Sequence, residues 1–76
     1  MKTNEELLRE WAEANGTSIH LAKLMHEYAS TNEQAQAVGS ILEKAEVSLM
    51  TDPILQGKWG YDDLLRVANQ MGLQKV

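Results

Sequence analysis

The sequence predicts an all-α fold, a single small domain of four to five short helices that spans residues 1–76. Apolar residues recur at three- and four-residue spacing in successive segments, and no segment alternates apolar with polar residues as a half-buried strand does. Residues that favour helix starts precede these segments, and glycines follow several of them. A chain of 76 residues is also short enough for only one hydrophobic core.

The first helix is predicted to begin at Thr3 and to end at Asn15-Gly16. Thr3 and Glu6 have the spacing of a capping box, and Gly16 can adopt the left-handed conformation that ends many helices. We expect Trp11 to anchor this helix in the core. The other apolar positions at helical spacing are Leu7, Leu8, Ala12 and Ala14.

The second helix is predicted to begin after Thr17 or Ser18, either of which can act as its N-cap. Its apolar face is wide enough to require more than one neighbouring element, and it leaves His20, Lys23 and Glu27 outside. The apolar residues of this face are Ile19, Leu21, Ala22, Leu24, Met25, Tyr28 and Ala29.

The third helix is predicted to run to about Leu49 from a capping box at either Ser30 or Thr31. Gly39 lies in its interior, where glycine costs about 1 kcal/mol relative to alanine. We therefore expect a neighbouring backbone to approach closely at Gly39, the alternative being two shorter helices with a turn at residues 39–40. Its apolar stripe consists of Val38, Ile41, Leu42, Ala45 and Leu49.

Asp52-Pro53 marks the next break, because proline disfavours helix in the residues before it and suits the first position of a new short turn. That turn is predicted to end at Gly57. After the linker 58–60, a last helix is predicted over Tyr61–Met71, with a Schellman-type stop at Gly72 and a frayed tail over 74–76. Its buried side should carry Leu64, Leu65, Val67, Ala68 and Met71.

Charge and composition bear on partners and location. Seven basic residues are scattered among eleven acidic ones, which gives a net charge of −4 and no basic block, so nucleic-acid binding is disfavoured. The chain has no cysteine, no signal-peptide pattern and no apolar run long enough to span a membrane. We therefore expect a cytoplasmic protein that does not bind membranes.

No pattern in the sequence predicts an enzyme, a metal site or a cofactor. His20 and His26 are six residues apart, so on a helix they face different directions and cannot share a metal ion. The acidic pairs at 5–6 and 62–63 lie in predicted first turns, where carboxylates are favoured by the helix dipole. Phosphate-binding loops, nucleophile elbows and zinc-protease patterns are missing from the sequence.

Two segments of the C-terminal half, ILQGKW over 54–59 and LLRVANQMGL over 64–73, resemble helix-turn-helix domains of the Cro and phage-repressor type. In that family a recognition helix commonly ends in Gly-Lys, and the next helix reads Leu-Leu-x-x-Ala-x-x-Leu-Gly. The resemblance implies that Val47–Gln56 enters the major groove of DNA. The polar contacts would be Ser48, Thr51, Gln56 and Lys58.

The leading interpretation is a non-enzymatic interaction or regulatory module of a bacterium or phage, which presents a helical surface to a protein partner or to a second copy of itself. Lys58, Trp59 and Tyr61 are the predicted partner-binding residues, because aromatic side chains are enriched at binding hot spots and two of the four lie here. Trp59 could instead cover the core. The alternative function is a helix-turn-helix DNA-binding transcriptional regulator.

Overall fold

The computed structural model describes residues 1–74 and confirms the all-α prediction. Lys75 and Val76, which belong to the predicted frayed tail, lie outside the described residues, and Gln74 is exposed. The structure contains four helices and, within residues 1–74, no strand. The helices are α1 (Asn4–Asn15), α2 (Ile19–Tyr28), α3 (Asn32–Thr51) and α4 (Tyr61–Gln70).

The first three helices begin where side-chain oxygens accept the backbone N–H three residues further along the chain. Thr3 caps α1 with an O···N distance of 3.2 Å, and Ser18 and Thr31 cap α2 and α3 at 3.1 Å each. The sequence left two alternatives open at each of these helices. Ser18 rather than Thr17 is the N-cap of α2, and Thr31 rather than Ser30 is the N-cap of α3. Gly16, with φ of 69°, ends α1 as predicted.

Helix α3 is one continuous helix of 20 residues, so the alternative of two shorter helices is wrong. Gly39 is buried, and a Cβ atom there would lie 3.3 Å from the Met25 Cε atom. The close neighbour of Gly39 is thus a side chain of α2 rather than a backbone. Helix α3 ends at Asp52, whose carboxylate accepts the Ile54 N–H at 2.9 Å, and residues 53–57 form turns without a fifth helix.

Helix α4 is closed at both ends by local hydrogen bonds. The Asp63 carboxylate accepts the Gly60 N–H at 3.1 Å before the first turn. At the other end Gly72 has φ of 99°, and the Leu73 N–H donates to the Ala68 carbonyl at 3.0 Å. Leu73 is also buried, so the predicted Schellman-type stop is confirmed.

The main core cluster lies between α2, α3 and α4 and includes no residue of α1. Helix α1 packs on α2 alone and buries only Ala12. The prediction that Trp11 anchors the core is therefore wrong: its side chain is 40% exposed, and Leu7 is 50% exposed. The cluster consists of Leu21, Leu24, Val38, Leu42, Ala45, Leu49, Leu64, Ala68 and Leu73.

No helix within the described residues combines the length and the apolar character needed to cross a membrane.

Candidate protein-binding surface

The predicted partner-binding segment runs from Lys58 to Tyr61 and leads into α4. Lys58 is exposed, whereas Trp59 is half-buried and packs against the core cluster. The Trp59 ring lies 5.7 Å from the His20 ring, measured between centroids, with 60° between the ring planes. His20 is therefore half-buried rather than outside, and its Nδ1 atom is buried without a hydrogen-bond partner within residues 1–74.

Tyr61 is held against α2 by a hydrogen bond. Its hydroxyl donates to Oε2 of Glu27 at 2.5 Å. This bond, together with partial burial and the negative charge of Glu27, raises the pKa of Tyr61 to about 12. Both aromatic side chains of the segment thus contact residues of α2, whereas Lys58 is exposed.

The four residues that the helix-turn-helix resemblance implies are all exposed. They do not lie on one recognition helix, because the segment 47–56 consists of the last turn of α3 followed by irregular turns. The Thr51 hydroxyl donates to the Val47 carbonyl at 2.8 Å. Gln56 has a positive φ of 52°. The implied residues Ser48, Thr51, Gln56 and Lys58 therefore span a helix end and a turn.

A different surface is open between α1 and α3, with α2 as its floor; we call it the α1–α3 groove. It comprises two connected hollows of about 310 and 550 Å3 that share Trp11, Met25, Asn32 and Ala35. The first hollow is also lined by Leu8, Ala22, His26, Ala29, Ser30 and Thr31. The second is also lined by Asn15, Thr17, Gln36, Gly39, Ser40 and Glu43.

The groove exists because α1 packs on α2 without packing on α3. Ala35 and Gly39 lie one turn apart on the face of α3 that lines the groove. Because these residues are small, this side of the groove projects little from the helix backbone. Met25 is half-buried between the walls, and Trp11 stands on the α1 wall with 40% of its surface exposed. The result is an open channel with an accessible indole at its edge, apolar around Leu8 and Ala29 and polar towards Gln36 and Ser40.

Charge is sparse along the groove. Of the described residues that line it, only Glu43 and His26 are titratable. Thr17 lines the second hollow, and its hydroxyl oxygen is buried without a hydrogen-bond partner in the described chain. Next to Thr17, Ser18 donates to the buried Glu46 carboxylate at 2.9 Å. This bond ties the α1–α2 loop to α3 and maintains one end of the groove.

Sequence reasoning missed the groove and the buried Glu46. A signal for the groove was present, because small residues at 35 and 39 and the wide apolar face of α2 both predict close approach and surplus apolar surface. Glu46 gave no such signal, since a glutamate on a helix is ordinarily exposed.

Among residues 1–74, no group of three or more His, Cys, Asp and Glu side chains is arranged to hold a metal ion. Comparison with family models, with characterised proteins and with solved structures finds no match to this chain. The helix-turn-helix resemblance therefore stays a prediction.

Proposed function

We propose that this chain is a non-enzymatic interaction module that binds a protein through the α1–α3 groove. The observation that supports the proposal is the position of Trp11, a tryptophan that is 40% exposed on the wall of the α1–α3 groove, next to its apolar first hollow, rather than buried in the core. Apolar patches rimmed by polar residues mark interaction sites, and tryptophan is the residue type most enriched at binding hot spots.

The mainly apolar first hollow of the groove suits the apolar face of a partner's helix. Its floor contains Met25, whose flexible thioether adapts to differently shaped partners. The polar end of the groove offers the exposed Glu43 carboxylate as a specific contact. A helix laid between α1 and α3 would cover the exposed part of Trp11 and bring its own polar flank beside Glu43.

The segment 58–61 supports this function less well than the groove does. Trp59 and Tyr61 already have intramolecular contacts with His20 and Glu27, so a partner would gain only their exposed edges. Lys58 is exposed and stays available as a peripheral charge. We therefore place the centre of binding at Trp11 and keep Lys58, Trp59 and Tyr61 as the predicted rival site.

The test is a quantitative pull-down from a lysate of the source cells with the immobilised chain. Trp11→Ser should abolish capture of a protein that the unmodified chain retains, because the mutation removes the anchor on the groove wall. Met71→Ser is the matched control, since Met71 directly follows α4, is 44% exposed and does not line the groove. Circular dichroism of each variant verifies folding.

Two outcomes would contradict the proposal. Capture that survives Trp11→Ser and is lost with Trp59→Ala would assign binding to the segment 58–61. Specific retention of DNA by the chain, lost on replacing Lys58 and Gln56 by alanine, would assign the helix-turn-helix function instead.

A further inference from the structure

The second hollow of the α1–α3 groove differs in chemistry from the first. Trp11 borders both hollows, so the indole ring adjoins the polar lining of the second. Four exposed polar side chains belong to that lining: Asn15 on α1, and Gln36, Ser40 and Glu43 on α3. The second hollow therefore combines an aromatic surface with oxygen atoms that can accept hydrogen bonds.

Glu43 brings a negative charge that the described chain leaves unpaired. Its carboxylate has no ion pair and no side-chain hydrogen bond within residues 1–74. No lysine or arginine of residues 1–74 lines either hollow. Lys44 is adjacent in sequence, but consecutive residues of a helix do not face each other, and the two form no ion pair. The second hollow thus contains one carboxylate and no neighbouring cation.

The end of α1 adds negative potential at the same place. Asn15 is the last residue of α1, and the last turn of this helix contains no basic residue. The aligned peptide dipoles give a helix C-terminus a partial negative charge, so a cation close to it is stabilised. A cation in the second hollow would therefore be attracted from both walls, by Glu43 on α3 and by the end of α1.

The Asn15 side chain is oriented by a hydrogen bond of its own. Its Nδ2 atom donates to the Trp11 carbonyl at 2.8 Å. The amide oxygen, Oδ1, has no hydrogen-bond partner within residues 1–74. Because the nitrogen is turned to the backbone, the oxygen remains as an open acceptor on the α1 wall.

We propose that the second hollow binds an arginine side chain of the partner, and that the partner is a basic amphipathic helix whose apolar residues occupy the first hollow. This inference rests on the proposed function, because it names the chemistry of the partner. A guanidinium group stacks on aromatic rings, donates hydrogen bonds in several directions and is less strongly hydrated than an ammonium group. Arginine can therefore lie over the Trp11 indole and donate to the acceptors on the walls.

The groove also sets the spacing within the partner. Of the two hollows, Leu8 lines only the first and Asn15 only the second. These residues are seven positions apart on α1, which is about 10 Å along the helix axis. A partner helix laid along the groove has the same rise per residue. Its arginine should therefore lie about two turns from the apolar residues that fill the first hollow.

The charge of the whole chain favours the same partner. The net charge of −4 attracts a basic segment during approach and repels phosphate groups. Complementary charge also selects against acidic helices, because an acidic residue in the second hollow would lie beside Glu43.

The first experiment selects helical peptides from a phage-displayed library on the immobilised chain. The library randomises one face of an alanine-rich helix, at positions i, i+3, i+4, i+7, i+8 and i+11. Selected peptides should carry apolar residues at three- or four-residue spacing and arginine about two turns away, and Trp11→Ser should abolish their retention. Peptides that depend on Trp11 but carry no arginine on this face would overturn the inference and leave the proposed function standing. A library without any peptide that depends on Trp11 would contradict both.

The second experiment measures the charge pairing with a selected peptide and its arginine-to-glutamine form, by calorimetry. Glu43→Gln should weaken binding of the arginine peptide about two- to fivefold, the range of an exposed ion pair, and added salt should reduce this difference. It should leave the glutamine peptide unaffected. Asp62→Asn is the matched control, because it removes an exposed carboxylate from α4, outside the groove. Equal losses for the two peptides would overturn the pairing with Glu43.

The third experiment separates the aromatic ring from its apolar surface. Trp11→Leu keeps an apolar side chain on the groove wall but removes the ring over which a guanidinium can lie. The arginine peptide should lose about two- to fivefold more affinity than the glutamine peptide, the range of an exposed cation–π contact. Circular dichroism verifies that the variant is folded. Equal losses would overturn the placement of arginine over Trp11.

Discussion

The two tryptophans offer a direct test, because the structure reverses the roles that their sequence positions predict. Trp11 was expected in the core and is 40% exposed on the groove wall. Trp59, in a glycine-flanked connection, packs against the core cluster and the His20 ring. We therefore predict that Trp59→Ala destabilises the monomer more than Trp11→Ala does.

The magnitudes follow from burial. Replacing a fully buried tryptophan by alanine costs about 3–5 kcal/mol. Since 40% of Trp11 is exposed, the upper bound for its replacement is about 2–3 kcal/mol, and we expect about 1–2 because the open groove lets neighbouring side chains relax. For Trp59 we expect about 3 kcal/mol, a large part of the roughly 4–11 kcal/mol available to a domain of this size.

The assay is urea unfolding followed by circular dichroism, at concentrations low enough that any dimer is dissociated. The remaining tryptophan of each variant reports the same transition by fluorescence, which tests two-state behaviour. A larger loss of stability for Trp11→Ala than for Trp59→Ala would refute the reasoning, because it would mean that α1 contributes more to the core than its packing on α2 alone allows.

Three further predictions concern polar contacts and the groove wall. Glu46→Ala should destabilise the fold by about 1–2 kcal/mol in urea unfolding, because the Ser18 hydroxyl loses its acceptor, and Glu46→Gln should cost less because it keeps an oxygen in place. Tyr61 should titrate near 12 in NMR spectra of the labelled ring, and Glu27→Gln should bring its pKa back towards 10. Since this pKa is higher in the folded state, the stabilisation it contributes is present below pH 10 and is lost as the pH rises towards 12. Gly39→Ala should change the melting temperature little, because the gain in helix propensity of about 1 kcal/mol opposes a tight contact with a flexible side chain; a large fall would show that the α3 wall cannot accept any added atom.

The local signals of the sequence predicted most of the helix boundaries. The caps at Thr3 and Thr31, the left-handed Gly16 and the stop at Gly72 each depend on residues within a few positions of one another. Such signals can be recognised in the sequence because capping hydrogen bonds and glycine conformations depend on neighbouring residues. The core faces of α3 and α4 were also predicted, except that Met71, which was predicted on the buried side of α4, is 44% exposed.

The candidate site was not predictable in the same way. Trp11 is part of an amphipathic pattern, and that pattern does not reveal how many neighbours a helix has. Only the tertiary structure shows that α1 packs on α2 alone, which leaves Trp11 on the wall of a groove. Trp59 likewise meets His20 from 39 positions away in the sequence, and no local rule pairs them.

The sequence by itself determined the all-α class, the starts and stops of the helices and the residues of α2, α3 and α4 that form the core, because hydrogen bonding within helices and apolar periodicity act over a few residues. The tertiary structure decided which apolar residues remained uncovered. That outcome depends on long-range packing: α3, with 20 residues, is twice as long as the 10-residue α2 and α4 that pack on it. Neither they nor α1 cover its whole surface, so the groove beside Trp11 and the face of α3 that carries Val47 and Met50 stay exposed.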